Sequence, residues 1–346
     1  MRIVRQFRTL LIVFGLAFGP PALAAEKRLP SLGADPAKTS ISGLSSGAFM
    51  AIQYDVAFSA STVGVGVVAG GAYNCAYVNG PLVAANLSTC MTGSPIGAQS
   101  LEAALGFSSL GQIDDPAHLK TQKVYLFSGT KDQVVKQTAM NAVQQFFRDA
   151  HVPKASIQYV KTVPAGHAFI SAHAGGACPV NATPYVNQCA VGGQPYDQPQ
   201  AILSHIYGPL QPKAATLSAA PTPFDQTEFA PGVTDMAKTG YVYIPAACAQ
   251  GGPGKCAVHV VFHGCMQSAD QVGDMVYAKV GYNEWADSNR IIVLYPQVDP
   301  QADALALAYN PEGCWDWWGY SGLDFQVRSG PQLSAVRAMV QRLQKP

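Results

Sequence analysis

Along the chain, short apolar runs alternate with segments of helical period. TSISGL from Thr39 reads as a strand; it leads through Ser45-Ser46-Gly47 into AFMAIQYDVAFSA, where Phe49, Ile52, Val56 and Ala57 share one helical face. The run VGVGVVAGG predicts a buried strand, and a cysteine-bearing loop and a helix near Ser100 to Leu110 come next. KVYLFSG from Lys123 to Gly129 predicts a third strand, QTAMNAVQQFFRDA an amphipathic helix, and SIQYVKTV from Ser156 to Val163 a further strand. Strands alternating with helices indicate an α/β fold with a mostly parallel central sheet flanked by helices.

From His173 to Asp235 the pattern gives way to Gly, Pro, Ala, Gln and Thr, with one helix-like piece, QAILSHIYGPL. This segment is expected to be a surface excursion. Beyond it, TGYVYIPAAC and KCAVHVVFHGC look like the two strands of a hairpin across a Gly-rich turn. A helix is expected from Ala269 to Asp287, then the strand RIIVLYPQ and a closing helix, QLSAVRAMVQRLQ. Strands of the same buried character on both sides of the excursion favour one sheet, and so one domain over residues 25–346.

Composition narrows the possibilities. Charged residues make up only 12% of the 346, about half the usual share, and hydrophobic residues 48%, which excludes a disordered chain or a coiled coil. The first 24 residues carry Arg2, Arg5 and Arg8, an apolar run from Leu10 to Phe18 and a small-residue site, Ala22-Leu23-Ala24. That is the layout of a secretory signal peptide, too short in its apolar part for a membrane span. Without it, 19 basic residues face 21 acidic ones, a net charge of −2 that leaves no basic stripe for nucleic acid. A soluble protein outside the cytoplasm, extracellular or periplasmic, is expected, with no membrane partner.

Export makes disulfides possible, and the eight cysteines are Cys75, Cys90, Cys178, Cys189, Cys248, Cys256, Cys265 and Cys314. Pairing each with its sequence neighbour is the simplest scheme. A closed loop of about 15 residues would contribute on the order of 3 kcal/mol in the chain-entropy picture. A metal site competes weakly, because no C-x-x-C or H-x-x-x-H spacing occurs.

The chemistry begins at Gly43-Leu44-Ser45-Ser46-Gly47, which fits G-x-S-x-G between a strand and a helix and selects Ser45 as a nucleophile on a sharp turn. A serine nucleophile needs a base and an orienting acid, found in hydrolases at the ends of later strands. Asp132 follows KVYLFSG, and His167 follows SIQYVKTV. Asp132 also suits a helix cap, and His173 is the rival base. The residue after the nucleophile, Ser46, supplies one oxyanion donor, and the other belongs on an H-G-G-like loop, matched by His263-Gly264-Cys265. That loop normally precedes the nucleophile. Moving the segment from about Thr239 onward in front of Thr39 restores the ordinary order, so the chain is expected to be a circularly permuted α/β-hydrolase. The excursion would bridge the old ends.

GLSSGAFM, GTKD, AGHAF, ILSHIYG, FHGC and NPEGCWDWWGY together resemble the circularly permuted catalytic domain of secreted poly(3-hydroxybutyrate) depolymerases over essentially the whole mature chain. The resemblance implies Ser45 as nucleophile, Asp132 as orienting acid, His167 as general base and acid, and the N–H groups of Ser46 and Cys265 as oxyanion donors. It implies hydrolysis of a polyester or oligoester by a monomer that needs no metal or cofactor. The chain stops without the separate polymer-binding domain that many such enzymes add, so amorphous polymer or oligomers are the expected substrates. Three of the four tryptophans, Trp315, Trp317 and Trp318, sit in one loop, and with His263 they are the expected substrate contacts. If Cys314 pairs with Cys265, this loop meets the oxyanion turn. A feruloyl or acetyl esterase is the alternative enzyme, and a non-catalytic polyester-binding protein the alternative from another class.

Overall fold

The computed structural model describes residues 28–80, 83–230, 232, 235–249, 255–301 and 310–346. The expected signal peptide lies outside them. Eight strands form one sheet: β1 (Thr39–Leu44), β2 (Thr62–Val68), β3 (Lys123–Phe127), β4 (Ile157–Val160), β5 (Thr222–Asp225), β6 (Thr239–Tyr243), β7 (Ala257–Phe262) and β8 (Ile291–Tyr295). Their spatial order is β5-β6-β8-β7-β1-β2-β3-β4. All neighbours from β8 to β4 run parallel; β5 with β6 and β6 with β8 are antiparallel.

The central strands β1, β7 and β8 are buried on every residue because both faces are covered. Ile41, Val65, Leu126, Val258, Val260 and Phe262 face one buried cluster with helices α1 (Ser46–Ala57), α4 (Gln137–Asp149) and α7 (Pro331–Gln344). Val68, Tyr125, Phe127, Val261 and Val293 face another, with α5 (Gln198–Tyr207) and α6 (Tyr282–Asn289). Two more helices, α2 (Val83–Thr92) and α3 (Gly97–Ser109), follow the first cysteine. No helix among the described residues is long and apolar enough to cross a membrane.

Three expectations change. The segments TGYVYIPAAC and KCAVHVVFHGC do not form a hairpin: β8 lies between β6 and β7, and the hairpin partner of β6 is β5. β7 is buried on every residue and belongs at the centre, whereas β5, with Pro223 opposite Tyr241, is an edge strand that a Pro-rich segment disguised. The excursion therefore ends before Thr222, and so does the permutation junction. The helix expected from Ala269 to Asp287 is broken into Ala269–Val272, Met275–Lys279 and Tyr282–Asn289. Gly273 and Gly281, both at positive φ, sit at the breaks. The fourth strand is four residues, not eight.

All eight cysteines are paired, each with its sequence neighbour: Cys75–Cys90, Cys178–Cys189, Cys248–Cys256 and Cys265–Cys314. Three pairs close short loops, while Cys265–Cys314 spans 49 residues and joins two loops at the same end of the sheet as Ser45.

Candidate active site

Ser45 sits between β1 and α1 at φ 57°, ψ −123°, a conformation strained for any residue but glycine. Its neighbours explain how the turn is tolerated. A Cβ on Gly43 would lie 2.1 Å from the Gly47 carbonyl oxygen, and one on Gly47 would lie 2.2 Å from that of His263. Glycine at both positions lets the elbow close on itself and press against the end of β7. The Ser45 N–H donates to Val68 O at 3.0 Å, and its carbonyl accepts the N–H groups of Ala48 and Phe49, starting α1.

Asp132 and His167 leave the ends of adjacent strands and meet. The His167 Nδ1–H donates to Asp132 Oδ2 at 2.9 Å, with both side chains almost fully buried. Asp132 Oδ1 meanwhile accepts from the N–H groups of Val134 and Val135, each at 2.8 Å. Asp132 thus orders its own loop with one oxygen and meets His167 with the other; it does not cap α4, which starts at Gln137 after Lys136. His173 is elsewhere, half-exposed and 3.8 Å from Glu284.

Asn181, which the sequence does not single out, links the Asp132 and His167 loops. Asn181 Oδ1 accepts from Gln133 N–H at 2.9 Å and from the backbone N–H of His167 at 2.8 Å. Its Nδ2 donates to Lys131 O and Pro179 O, both at 3.0 Å. One amide therefore touches the residues on either side of Asp132 and the backbone of His167 itself.

Facing this wall is the loop Gly264–Gln267. Buried Gln267 accepts from Gly264 N–H at 2.7 Å and donates to Pro184 O and Tyr185 O at 2.7 and 3.0 Å. His263 is fully buried beneath the loop: its Nδ1–H donates to Gly264 O at 2.7 Å, and Nε2 accepts from Val298 N–H at 3.2 Å. Burial pulls its pKa down to about 4, so it stays neutral. Among the described residues neither the Ser46 nor the Cys265 N–H has an acceptor. Ser46 Oγ is held by Trp315 N–H at 3.3 Å.

The tryptophan loop is organised by buried Asp316. Its Oδ1 accepts from the N–H groups of Trp318, Gly319 and Tyr320, and its Oδ2 from Ser321. Trp317 stacks on Phe49 with centroids 4.1 Å apart, and Trp318 stands edge-on to Trp317 at 5.6 Å. Trp315 and His263, expected at the substrate, correct the sequence reading. Both are completely buried, packed together against the end of the sheet, and neither lines the cleft.

The cleft has two lobes. The larger, about 200 Å³, is lined by Ser45, Phe49, Leu87, Met91, Trp317 and Trp318 among others. A smaller one of about 80 Å³ takes in Ser45, His167, Val134, Tyr185 and Gly264. Ser45, Met91, Cys265 and Glu312 line both. A hydroxyl beside an acid-oriented imidazole, free N–H groups on two loops and apolar walls constitute the equipment for acyl transfer from an uncharged ester.

No family model matches the chain. A poly(3-hydroxybutyrate) depolymerase of Delftia acidovorans is 40% identical over 335 residues, covering 94% of this chain and 63% of that protein. The chain thus spans under two thirds of that relative's length. A polyhydroxybutyrate depolymerase of Talaromyces funiculosus is 34% identical over 348 residues, 98% of each chain. Two solved structures superpose with 33% identity over 92% of this chain and 99% of theirs. They are a PHB depolymerase complexed with an R3HB trimer, TM-score 0.83, and the PHB depolymerase from Penicillium funiculosum, TM-score 0.82.

Proposed function

The chain belongs to the poly(3-hydroxybutyrate) depolymerase family, and from that premise we propose that it is a secreted serine esterase cleaving poly(3-hydroxybutyrate), as amorphous polymer or oligomers. It does so as one catalytic domain. Ser45 Oγ attacks the ester carbonyl while its proton passes to Nε2 of His167, and the charge gathered on the carbonyl oxygen rests on the N–H groups of Ser46 and Cys265. Collapse breaks the C–O bond, His167 returns the proton to the departing alkoxide, and an acyl-enzyme remains. Water then attacks the acyl carbon, giving its proton to His167. Ser45 leaves with that proton, and a 3-hydroxy acid or oligomer is freed.

The observation that carries this reading is the pairing of His167 with Asp132 at 2.9 Å beside Ser45 on an elbow at φ 57°. The strain lifts the hydroxyl above the sheet, the buried carboxylate fixes the tautomer that leaves Nε2 for proton transfer, and the apolar cleft suits an uncharged chain. Secretion to the periplasm or medium is supported by the N-terminal segment and by four disulfides, which persist in oxidising compartments. Incubation with amorphous poly(3-hydroxybutyrate) should release 3-hydroxybutyrate and short oligomers. Ser45→Ala should abolish both release and labelling by a serine-directed phosphonate. Release by the wild type only from feruloylated sugars, or labelling retained in Ser45→Ala, would overturn the proposal.

A further inference from the structure

Among the residues that line both lobes of the cleft, Glu312 alone carries a charge, and among the described residues no Lys or Arg lines either lobe. Its carboxylate is exposed and, among the described residues, has neither an ion pair nor a side-chain hydrogen bond. The backbone that carries it is nonetheless held. The Glu312 carbonyl accepts from Met266 N–H at 2.7 Å, two residues from the Cys265–Cys314 bond. A carboxylate oxygen, Cys265 Sγ and Cys314 Sγ all lie within 4.8 Å of one another. Both sulfurs are spent in the disulfide, so this group offers no thiolate to a metal. What remains is one unneutralised negative charge beside the oxyanion loop, in a cleft lined by no other carboxylate among the described residues.

Such a charge is costly for any negative group brought near it and indifferent to a neutral chain. A poly(3-hydroxyalkanoate) is neutral except at its single carboxyl end, and each turnover creates one new carboxylate at Ser45. The lobe beside His167 receives the leaving alcohol, because His167 returns the proton there; the tryptophan-lined lobe holds the acyl part. Glu312 faces both. Building on the proposed function, we infer that Glu312 is a charge selector: it disfavours any substrate that places a carboxylate within about one unit of the reacting ester. Cleavage is thereby directed to internal esters and away from the acid end, and the acid product is expelled. Uncharged ends and hydroxyl ends pass.

Two substrate pairs test this, each read as a ratio of kcat/KM so that effects common to both members cancel. One pair is the 3-hydroxybutyrate trimer as methyl ester and as free acid, which varies charge on the leaving side. The other is p-nitrophenyl pentanoate and p-nitrophenyl hemiglutarate, which varies it on the acyl side and does not depend on the polyester reading. The wild type should prefer the neutral member by about tenfold, and less at about 0.5 M salt. Glu312→Gln should bring the ratio to within about twofold, while Glu312→Asp should keep most of the preference. A ratio unchanged in Glu312→Gln, or no preference in the wild type, overturns the inference. If neither trimer is cleaved but the p-nitrophenyl ratio responds to Glu312→Gln, the polyester reading fails and the selector stands.

Discussion

On the wall of the cleft that carries Asp132 and His167, the loops are joined by hydrogen bonds: Thr130 and Lys131 N–H donate to Val163 and Ala165 O, and the Asn181 amide bonds to both loops. On the opposite wall they are joined by a covalent bond, Cys265–Cys314, with Gln267 and the neutral His263 filling the space beneath. The contrast follows from what each wall presents. An imidazole can be re-aimed by rotation about its own side-chain bonds, so its loop needs correct placement but not complete rigidity. A backbone N–H has no such freedom; only the path of the chain aims it, and a donor out of place costs about 3 kcal/mol of transition-state stabilisation. Cross-linking the backbone of the donor residue itself is the direct remedy.

Removing the Asn181 amide from the first wall should have the larger effect. Asn181→Ala deletes four hydrogen bonds at once and loosens the Asp132 and His167 loops, which the backbone bonds from Thr130 and Lys131 to Val163 and Ala165 still join, and displacement on the order of 1 Å costs about a hundredfold. We expect kcat for p-nitrophenyl butyrate to fall about a hundredfold, with loss of the downfield proton resonance of the His167–Asp132 hydrogen bond. Asn187→Ala is the control: it removes the bonds to Cys178 O and Val180 O in the same segment but touches neither catalytic loop. Equal loss of kcat in the two variants would reduce Asn181 to general support of the segment.

The second wall should give less, because its covalent tie survives the loss of a hydrogen-bonding partner. Gln267→Ala leaves the Gly264 N–H and the Pro184 carbonyl unpaired, while Tyr185 O keeps Phe169 N–H, and we expect kcat/KM to fall about tenfold with little change in the acid limb of the pH profile. Gln267→Glu retains the acceptor for Gly264 N–H and should recover part of the loss. A hundredfold loss in Gln267→Ala would show that the disulfide alone does not aim the donor and would erase the contrast between the walls.

The two walls also differ in how much of them could be read in advance. Ser45, Asp132 and His167 follow β1, β3 and β4, whose β-branched and aromatic residues make the strands legible and so locate the residues after them. Asn181 and Gln267 work across chain separations that periodicity does not encode: Asn181 bonds 50 and 14 residues away, and Gln267 more than 80. The strand order of the sheet failed for a related reason. β6 and β7 are neighbours in sequence, but β8, buried on all five residues, takes the place between them. Within the tryptophan loop, composition pointed to the cleft but did not say which ring enters it; the turn around Asp316 sends Trp315 down and Trp317 and Trp318 outward.

That outward pair gives the smallest effect and the one most specific to the polymer. Trp317 is pinned by its stack on Phe49, so replacing it would disturb α1 as well as the cleft. Trp318, partly exposed and touching Trp317 only edge-on, can be removed with less collateral change. An apolar chain lying against its indole would bury roughly 50 Å² there, about 1.3 kcal/mol at the usual coefficient, or close to tenfold in binding. A p-nitrophenyl acetate molecule occupying only the positions next to Ser45 would gain little from it. Trp318→Ala should therefore lower turnover of amorphous polymer about tenfold and that of p-nitrophenyl acetate less than twofold. Equal losses would mean that Trp318 holds the oxyanion loop in place through Cys314 and does not bind the chain, which would make the aromatic ring a part of the second wall's scaffold.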